Sequence, residues 1–109
     1  MDKAHVGVYI NPGEFSVEEQ KQKLQTWASE NEAKIYDYYI DQNTDQSVPL
    51  DDRKEFKRLL GDIRNHKIDS ILTVDYDRLA SDKQGVDDTL NSLESEGVRI
   101  YSISDTIRG

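Results

Sequence analysis

Short apolar segments and longer amphipathic segments alternate along this chain. Within 6–10 every second residue is aliphatic, which is the period of a strand, and the turn-forming sequence Asn11-Pro12-Gly13 follows. Three later segments are also apolar or aromatic and short: the tyrosine-rich 35–40, then 68–74 and 98–103. The segment 68–74 is apolar enough to be buried on both faces. The pattern therefore predicts four strands.

Three segments between these strands carry apolar residues at helical spacing. The first begins with a capping box, Ser16 and Glu19, and ends near Asn31. The second is predicted to be capped by Asp51 or Asp52, and the third ends at Gly97. The apolar faces consist of Val17, Leu24, Trp27 and Ala28, then Phe56, Leu59, Leu60 and Ile63, then Val86, Leu90 and Leu93. His66 and Lys67 are predicted to lie near the end of the second helix, where cations suit its negative pole.

The resulting order, βαβαβαβ, predicts an α/β fold: a three-layer sandwich with a mainly parallel sheet of four or more strands and helices on both faces. The chain is predicted to form one domain spanning 1–109. Ligands of such sheets usually bind beyond the carboxyl ends of the strands. We call the four segments expected there the rim: 11–15, 41–50, 75–82 and 104–109.

Charge and composition narrow the possible functions. The chain has 22 acidic and 14 basic side chains, a net charge of −8 and no cysteine. Disulfide, thiolate and cysteine–zinc chemistry are thereby excluded. The acidic balance argues against binding nucleic acid by bulk charge. The sequence has no apolar signal region and no membrane-length apolar run, so we expect a soluble, cytoplasmic protein without membrane contact.

Two features of the rim allow more than one interpretation. Asp77 and Arg78 follow a buried strand, where they form either a local ion pair or a guanidinium fork for a phosphate. Asp75 and Asp77, with Glu14, are similar to the acidic triad of Toprim-type metal nucleases. Acids at strand ends are common, however, and we expect neither a metal nor another cofactor.

Three motifs in one order carry a family resemblance: Tyr39-Ile40-Asp41, then Asp52-Arg53, then Asp77-Arg78-Leu79. They resemble the catalytic domain of the serine recombinases, the resolvases and invertases. That family begins with Tyr-x-Arg-Val-Ser and later reaches Asp-Arg-Leu-x-Arg after a strand. The resemblance extends from Val6 to about Ile107. It implies a resolvase-like fold, in which Arg53 and Arg78 face a scissile DNA phosphate while Asp41 and Asp77 orient them.

The chain departs from the family at three of these positions. Asn11 stands where the family has a phosphate-binding arginine, Gly13 where it has the nucleophilic serine, and Ser81 where it has the second arginine of the later motif. Gly13 has no side chain that could form the covalent link to DNA. Loss of a single transition-state donor costs about 2.7–4 kcal/mol in other enzymes. We therefore expect a catalytically inactive domain with a structural or regulatory role in DNA recombination.

Three alternatives remain at this point. The first is an active strand-transfer domain with a displaced nucleophile, Ser16. The second is a Toprim-like metal-dependent phosphodiesterase using Glu14, Asp75 and Asp77. The third is a pure interaction module with an exposed apolar patch. The family's dimerising helix and DNA-binding domain are absent from 1–109, so we expect DNA contact only within a longer protein. The expected protein partner is a second copy or an active recombinase.

Overall fold

The computed structural model describes residues 5–11, 16–42, 48–76, 79 and 82–103 of the chain, without the side chain of residue 51. Seven regular elements and one short 3-10 turn follow each other in these residues. They are β1 (His5–Ile10), α1 (Val17–Glu30), β2 (Lys34–Ile40), the turn Leu50–Asp52, α2 (Lys54–Arg64), β3 (Ser70–Thr73), α3 (Lys83–Ser95) and β4 (Arg99–Ser102).

The four strands form one parallel sheet in the order β2-β1-β3-β4. This confirms the α/β class and the parallel sheet. The third strand is shorter than the predicted 68–74, because Ile68 and Val74 are buried in the core but lie outside the strand. The β1–β2 register shifts once, between Val6 and Gly7, so Tyr36 is an extra residue of β2 there.

Helices cover both faces of the sheet, which confirms the three-layer arrangement. On one face, Leu24 of α1 packs with Val6, Val8 and Ile10 of β1. On the other face, the core is formed by side chains of the sheet, α2 and α3: Tyr9, Tyr39, Phe56, Leu59, Ile71 and Leu93 among them. Trp27, predicted to lie in the core, is partly buried against the α1-side cluster and stacks at 5.4 Å on Tyr101.

The helix starts confirm one prediction and correct another. The capping box of α1 is present: Ser16 Oγ accepts from the Glu19 N–H at 3.2 Å, and Glu19 Oε1 accepts from the Ser16 N–H at 3.3 Å. The predicted cap of α2 by Asp51 or Asp52 is wrong. Both residues belong to the 3-10 turn, which shifts the N-cap to Arg53, and Arg53 makes no side-chain cap bond.

The polar sequence 75–84 predicts a loop, but α3 already begins at Lys83. Asp82 is its N-cap, and Asp82 Oδ1 accepts from the Gly85 N–H at 2.7 Å. Each helix is followed, just after its C-cap, by a residue with a left-handed backbone: φ is 55° at Glu32, 61° at His66 and 82° at Gly97. His66 therefore forms the turn after α2 rather than its last helical turn. No helix within the described residues is long and apolar enough to cross a membrane.

Candidate functional site

The carboxyl ends of β1 and β2 bring two of the predicted site residues together. Ile10 and Ile40 are partners in the parallel register, so Asn11 and Asp41 leave the sheet side by side. The Asp41 N–H continues the pairing by donating to the Ile10 carbonyl at 3.0 Å. Asn11 is fully buried and Asp41 is only 4% exposed. Asn11 and Asp41, the first rim residues after these two strands, are thus interior residues.

Asp41 supplies the cap that α2 lacks locally. Its Oδ1 accepts from the Glu55 N–H at 2.9 Å, and its Oδ2 accepts from the Phe56 N–H at 3.2 Å. These are amides of the first turn, which have no partner within a helix. A carboxylate at the positive end of the helix dipole is also favourable. Asp41 therefore fixes the start of α2 against the end of β2.

Tyr9 connects Asp41 to Arg53. The Tyr9 hydroxyl donates to Asp41 Oδ2 at 2.9 Å and accepts from Arg53 Nη1 at 3.2 Å. Its ring meets Phe56 edge-on, with centroids 5.2 Å apart. Burial raises the pKa of the Tyr9 phenol well above its usual value, although the Arg53 guanidinium partly offsets this effect. Tyr9 is therefore a neutral bridge between a buried cation and a buried anion.

The guanidinium of Arg53 is directed into the protein. Arg53 is 1% exposed and is the largest fully buried side chain among the described residues. Besides the bond to Tyr9, its Nε donates to the Val48 carbonyl at 2.9 Å, which ties the segment before α2 to the core. Buried charges persist in proteins when they are paired and hydrogen-bonded. Arg53 is hydrogen-bonded to a carbonyl and to a phenol that is itself bonded to Asp41, and its burial leaves it almost inaccessible to a ligand.

Asn11 also bonds inward. Its Nδ2 donates to the Asp41 carbonyl at 3.1 Å, and its own carbonyl accepts from Gln20 Nε2 at 3.4 Å. Gln20, on α1, is 2% exposed. Asn11, at the position where the family resemblance expects a phosphate-binding arginine, thus connects β1 to β2 through its side chain and to α1 through its backbone carbonyl.

The remaining predicted site residues are only partly described. Gly13, Asp77, Arg78, Ser81 and Glu14 lie outside the described residues.

Around these positions, Leu79 is buried in the core and Asp75 is partly buried. Thr73, at the end of β3, is fully buried, and its Oγ1 has no hydrogen-bond partner within the described part of the chain. Ser16 is exposed, and its Oγ serves the capping box. Across the described ranges, no group of three His, Asp or Glu side chains is placed to hold a metal ion.

The fold and these motifs define a recombinase-type α/β domain, and comparison with known proteins identifies the family. The family model described as "Resolvase, N terminal domain" matches residues 11–108, so the chain belongs to the resolvase family. No curated protein gives a significant match to the chain.

Several solved structures share the fold. The N-terminal catalytic domain of TP901-1 integrase superposes with a TM-score of 0.82 at 22% identity, covering 93% of this chain and 78% of that one. A resolvase family site-specific recombinase from Streptococcus pneumoniae gives 0.74 at 24% identity, covering 94% and 74%. The C-terminal catalytic domain of ISC1926 TnpA, an IS607-like serine recombinase, gives 0.73 at 18% identity, covering 91% and 70%.

Sequence reasoning missed the bridging role of Tyr9 and the interior positions of Asn11 and Gln20. Tyr9 lies on the same side of β1 as Gly7, next to α2, and a tyrosine at the end of a central strand needs a partner for its hydroxyl. That requirement was the available signal. The long-range contacts that meet it were not visible in the sequence.

Proposed function

We propose that this resolvase-family domain does not carry out strand transfer and acts as a structural or regulatory module in DNA recombination. The observation that carries the proposal is the closed network of Asn11, Asp41, Tyr9 and Arg53. Two of the four positions at which the family resemblance expects phosphate-directed chemistry, Asp41 and Arg53, instead stabilise the protein interior.

Transition-state stabilisation needs donors about 2.7–3.1 Å from the oxygen on which charge develops. Arg53 is 1% exposed, and its Nη1 and Nε are engaged with Tyr9 and Val48, so a phosphate reaches it only if the network opens. Gly13 supplies no attacking oxygen. Ser16, the alternative nucleophile, is engaged in the cap of α1. Each of these features favours an inactive domain.

The test is a domain exchange. The catalytic domain of an active serine recombinase is replaced by this chain, while its dimerising and DNA-binding parts are kept. We expect the chimaera to occupy its DNA site in a mobility-shift assay and to form no covalent DNA adduct on denaturing gels. Gly13→Ser is expected to remain inactive, because Asn11 and Ser81 still lack the family's guanidinium groups.

The intact parent recombinase is the positive control, and Ser16→Ala in the chimaera is the matched control for the displaced nucleophile. An adduct with the unmodified domain that is lost in Ser16→Ala would contradict the proposal in favour of strand transfer. An adduct that forms after Gly13→Ser alone would show that the guanidinium groups missing at Asn11 and Ser81 are not required for strand transfer. For the regulatory role, we expect the bound chimaera to lower the recombination yield of the parent when the two are mixed.

A further inference from the structure

Strand β2 forms one edge of the described sheet, because β1 is its only strand neighbour there. Exposed edges offer unpaired N–H and C=O groups to other chains. The sequence of β2, Lys-Ile-Tyr-Asp-Tyr-Tyr-Ile, contains neither glycine nor proline, and its single cation and single anion cancel. High β-propensity, low net charge and absence of proline are the features of segments that pair with copies of themselves. Tyr36, at 48%, is an exposed aromatic residue on this strand.

The backbone of Tyr38 is directed away from β1. Successive residues of a strand direct their backbone groups to opposite sides, and the Asp41 N–H faces β1 because it bonds to Ile10. Tyr38 lies three residues before Asp41, an odd number, so its N–H and carbonyl face away from β1. Its N–H donates to Asp37 Oδ1 at 2.7 Å, and its carbonyl accepts from Arg58 Nη2 at 3.0 Å. Side chains therefore occupy both of the backbone groups that Tyr38 would offer to a new strand.

The two side chains that cover Tyr38 are bonded to each other. Arg58 Nη1 lies 2.9 Å from Asp37 Oδ2, which closes a ring with the Tyr38 backbone. Arg58 is further fixed by Glu55, with Nη2 2.7 Å from Oε1, and its guanidinium lies 4.1 Å from the centre of the Tyr39 ring. We call the ring formed by Asp37, Arg58 and the Tyr38 backbone the clip.

We propose that the clip closes the β2 edge against strand addition by a second copy of this chain. The electrostatics agree with this geometry: hydrogen bonding to Arg58 lowers the pKa of Asp37, and Glu55 followed by Asp37 raises the pKa of Arg58, so both remain charged over the physiological range. Both side chains are also exposed, at 41% for Arg58 and 47% for Asp37. The clip therefore contributes little free energy, and one substitution is enough to open it.

The test measures self-association of the full chain. Arg58→Ala and the matched control Arg64→Ala remove the same charge from α2, but only Arg58 belongs to the clip. Light scattering coupled to size exclusion, over a concentration series, gives the midpoint of association. We expect the midpoint of Arg58→Ala to lie about tenfold below those of Arg64→Ala and wild type, which converts to about 1.4 kcal/mol. Equal midpoints for the two variants would overturn the proposal.

Two further variants locate the interface and guard against misfolding. Adding Tyr36→Lys to Arg58→Ala places a charge on the β2 edge, and we expect it to restore the monomer. Association that persists in this double variant would mean that the contact lies elsewhere, which also refutes the proposal. If circular dichroism shows that Arg58→Ala is unfolded, Asp37→Asn opens the clip from the other side. Asp87→Asn, on the exposed surface of α3, is its control. Equal midpoints for this pair would overturn the proposal.

Discussion

Replacing Asp41 with alanine tests whether the buried network holds the fold together. The substitution removes the acceptor of two α2 amides and of the Tyr9 hydroxyl. It also leaves the Arg53 guanidinium in the interior without the carboxylate to which Tyr9 links it. Loss of a helix cap costs about 0.5–2 kcal/mol, and breaking a buried charge network about 3–5 kcal/mol. These effects overlap, so we expect a total destabilisation of about 3–5 kcal/mol.

Urea unfolding followed by circular dichroism measures this effect. Urea m values of small proteins are about 1–3 kcal/mol/M, so the midpoint should fall by at least about 1 M. Asp52→Ala is the matched control, because Asp52 is an exposed acid just before the same helix. Its loss should cost less than about 1 kcal/mol. If Asp41→Ala is no more destabilising than Asp52→Ala, the network does not stabilise α2 and the structural role assigned to Asp41 is wrong.

Three further predictions concern other parts of the chain, each checked by the free energy of unfolding in urea. Gly7→Ala places a methyl group 2.6 Å from Ile68 Cδ1 and should destabilise by about 1–3 kcal/mol; Gly61→Ala in α2 meets nothing within 4 Å and should not destabilise, and equal losses would contradict the steric argument. Glu32→Gly should stabilise by roughly 0.5–1 kcal/mol, because φ is 55° there; a loss would show that the left-handed backbone is not strained. Burial raises the pKa of Tyr9, so its contribution to stability is fully present below the unfolded value near pH 10 and is lost as pH rises toward the folded value. Tyr9 should account for about 1.4 kcal/mol of the stability lost per pH unit above pH 10, beside a loss of the same sign from Tyr39, whose pKa burial also raises; an unchanged slope in Tyr9→Phe would refute this.

The sequence contained enough information for the fold class but not for the site. The spacing of apolar residues predicted the four strands and three helices. Strands and helices each bury one face, and the two geometries give that face a different repeat along the sequence. The capping box of α1 was also readable, because Ser16 and Glu19 are neighbours on one turn. The cap of α2 was not, since Asp41 reaches Glu55 over 14 positions and only the folded chain brings them together.

The interior position of Arg53 could not be predicted from the sequence either. Arginine is rarely fully buried, and the family resemblance implied a phosphate-facing role for Arg53. The structure places it at 1% exposure because the Tyr9 hydroxyl and the Val48 carbonyl accept its donors. Both partners depend on the path of the backbone between β2 and α2, and no local pattern encodes that path.

The strand order has a consequence for synthesis on the ribosome. Of the four described strands β1 leaves the ribosome before the others, and it lies between β2 and β3, so one of its sides can pair early while the other stays open until residues 70–73 have left the exit tunnel. A nascent chain that ends before β3 therefore exposes the Val6–Ile10 strand along a full edge. Its apolar residues are those that the finished protein buries completely. We expect contact with chaperones to be greatest in this interval of translation.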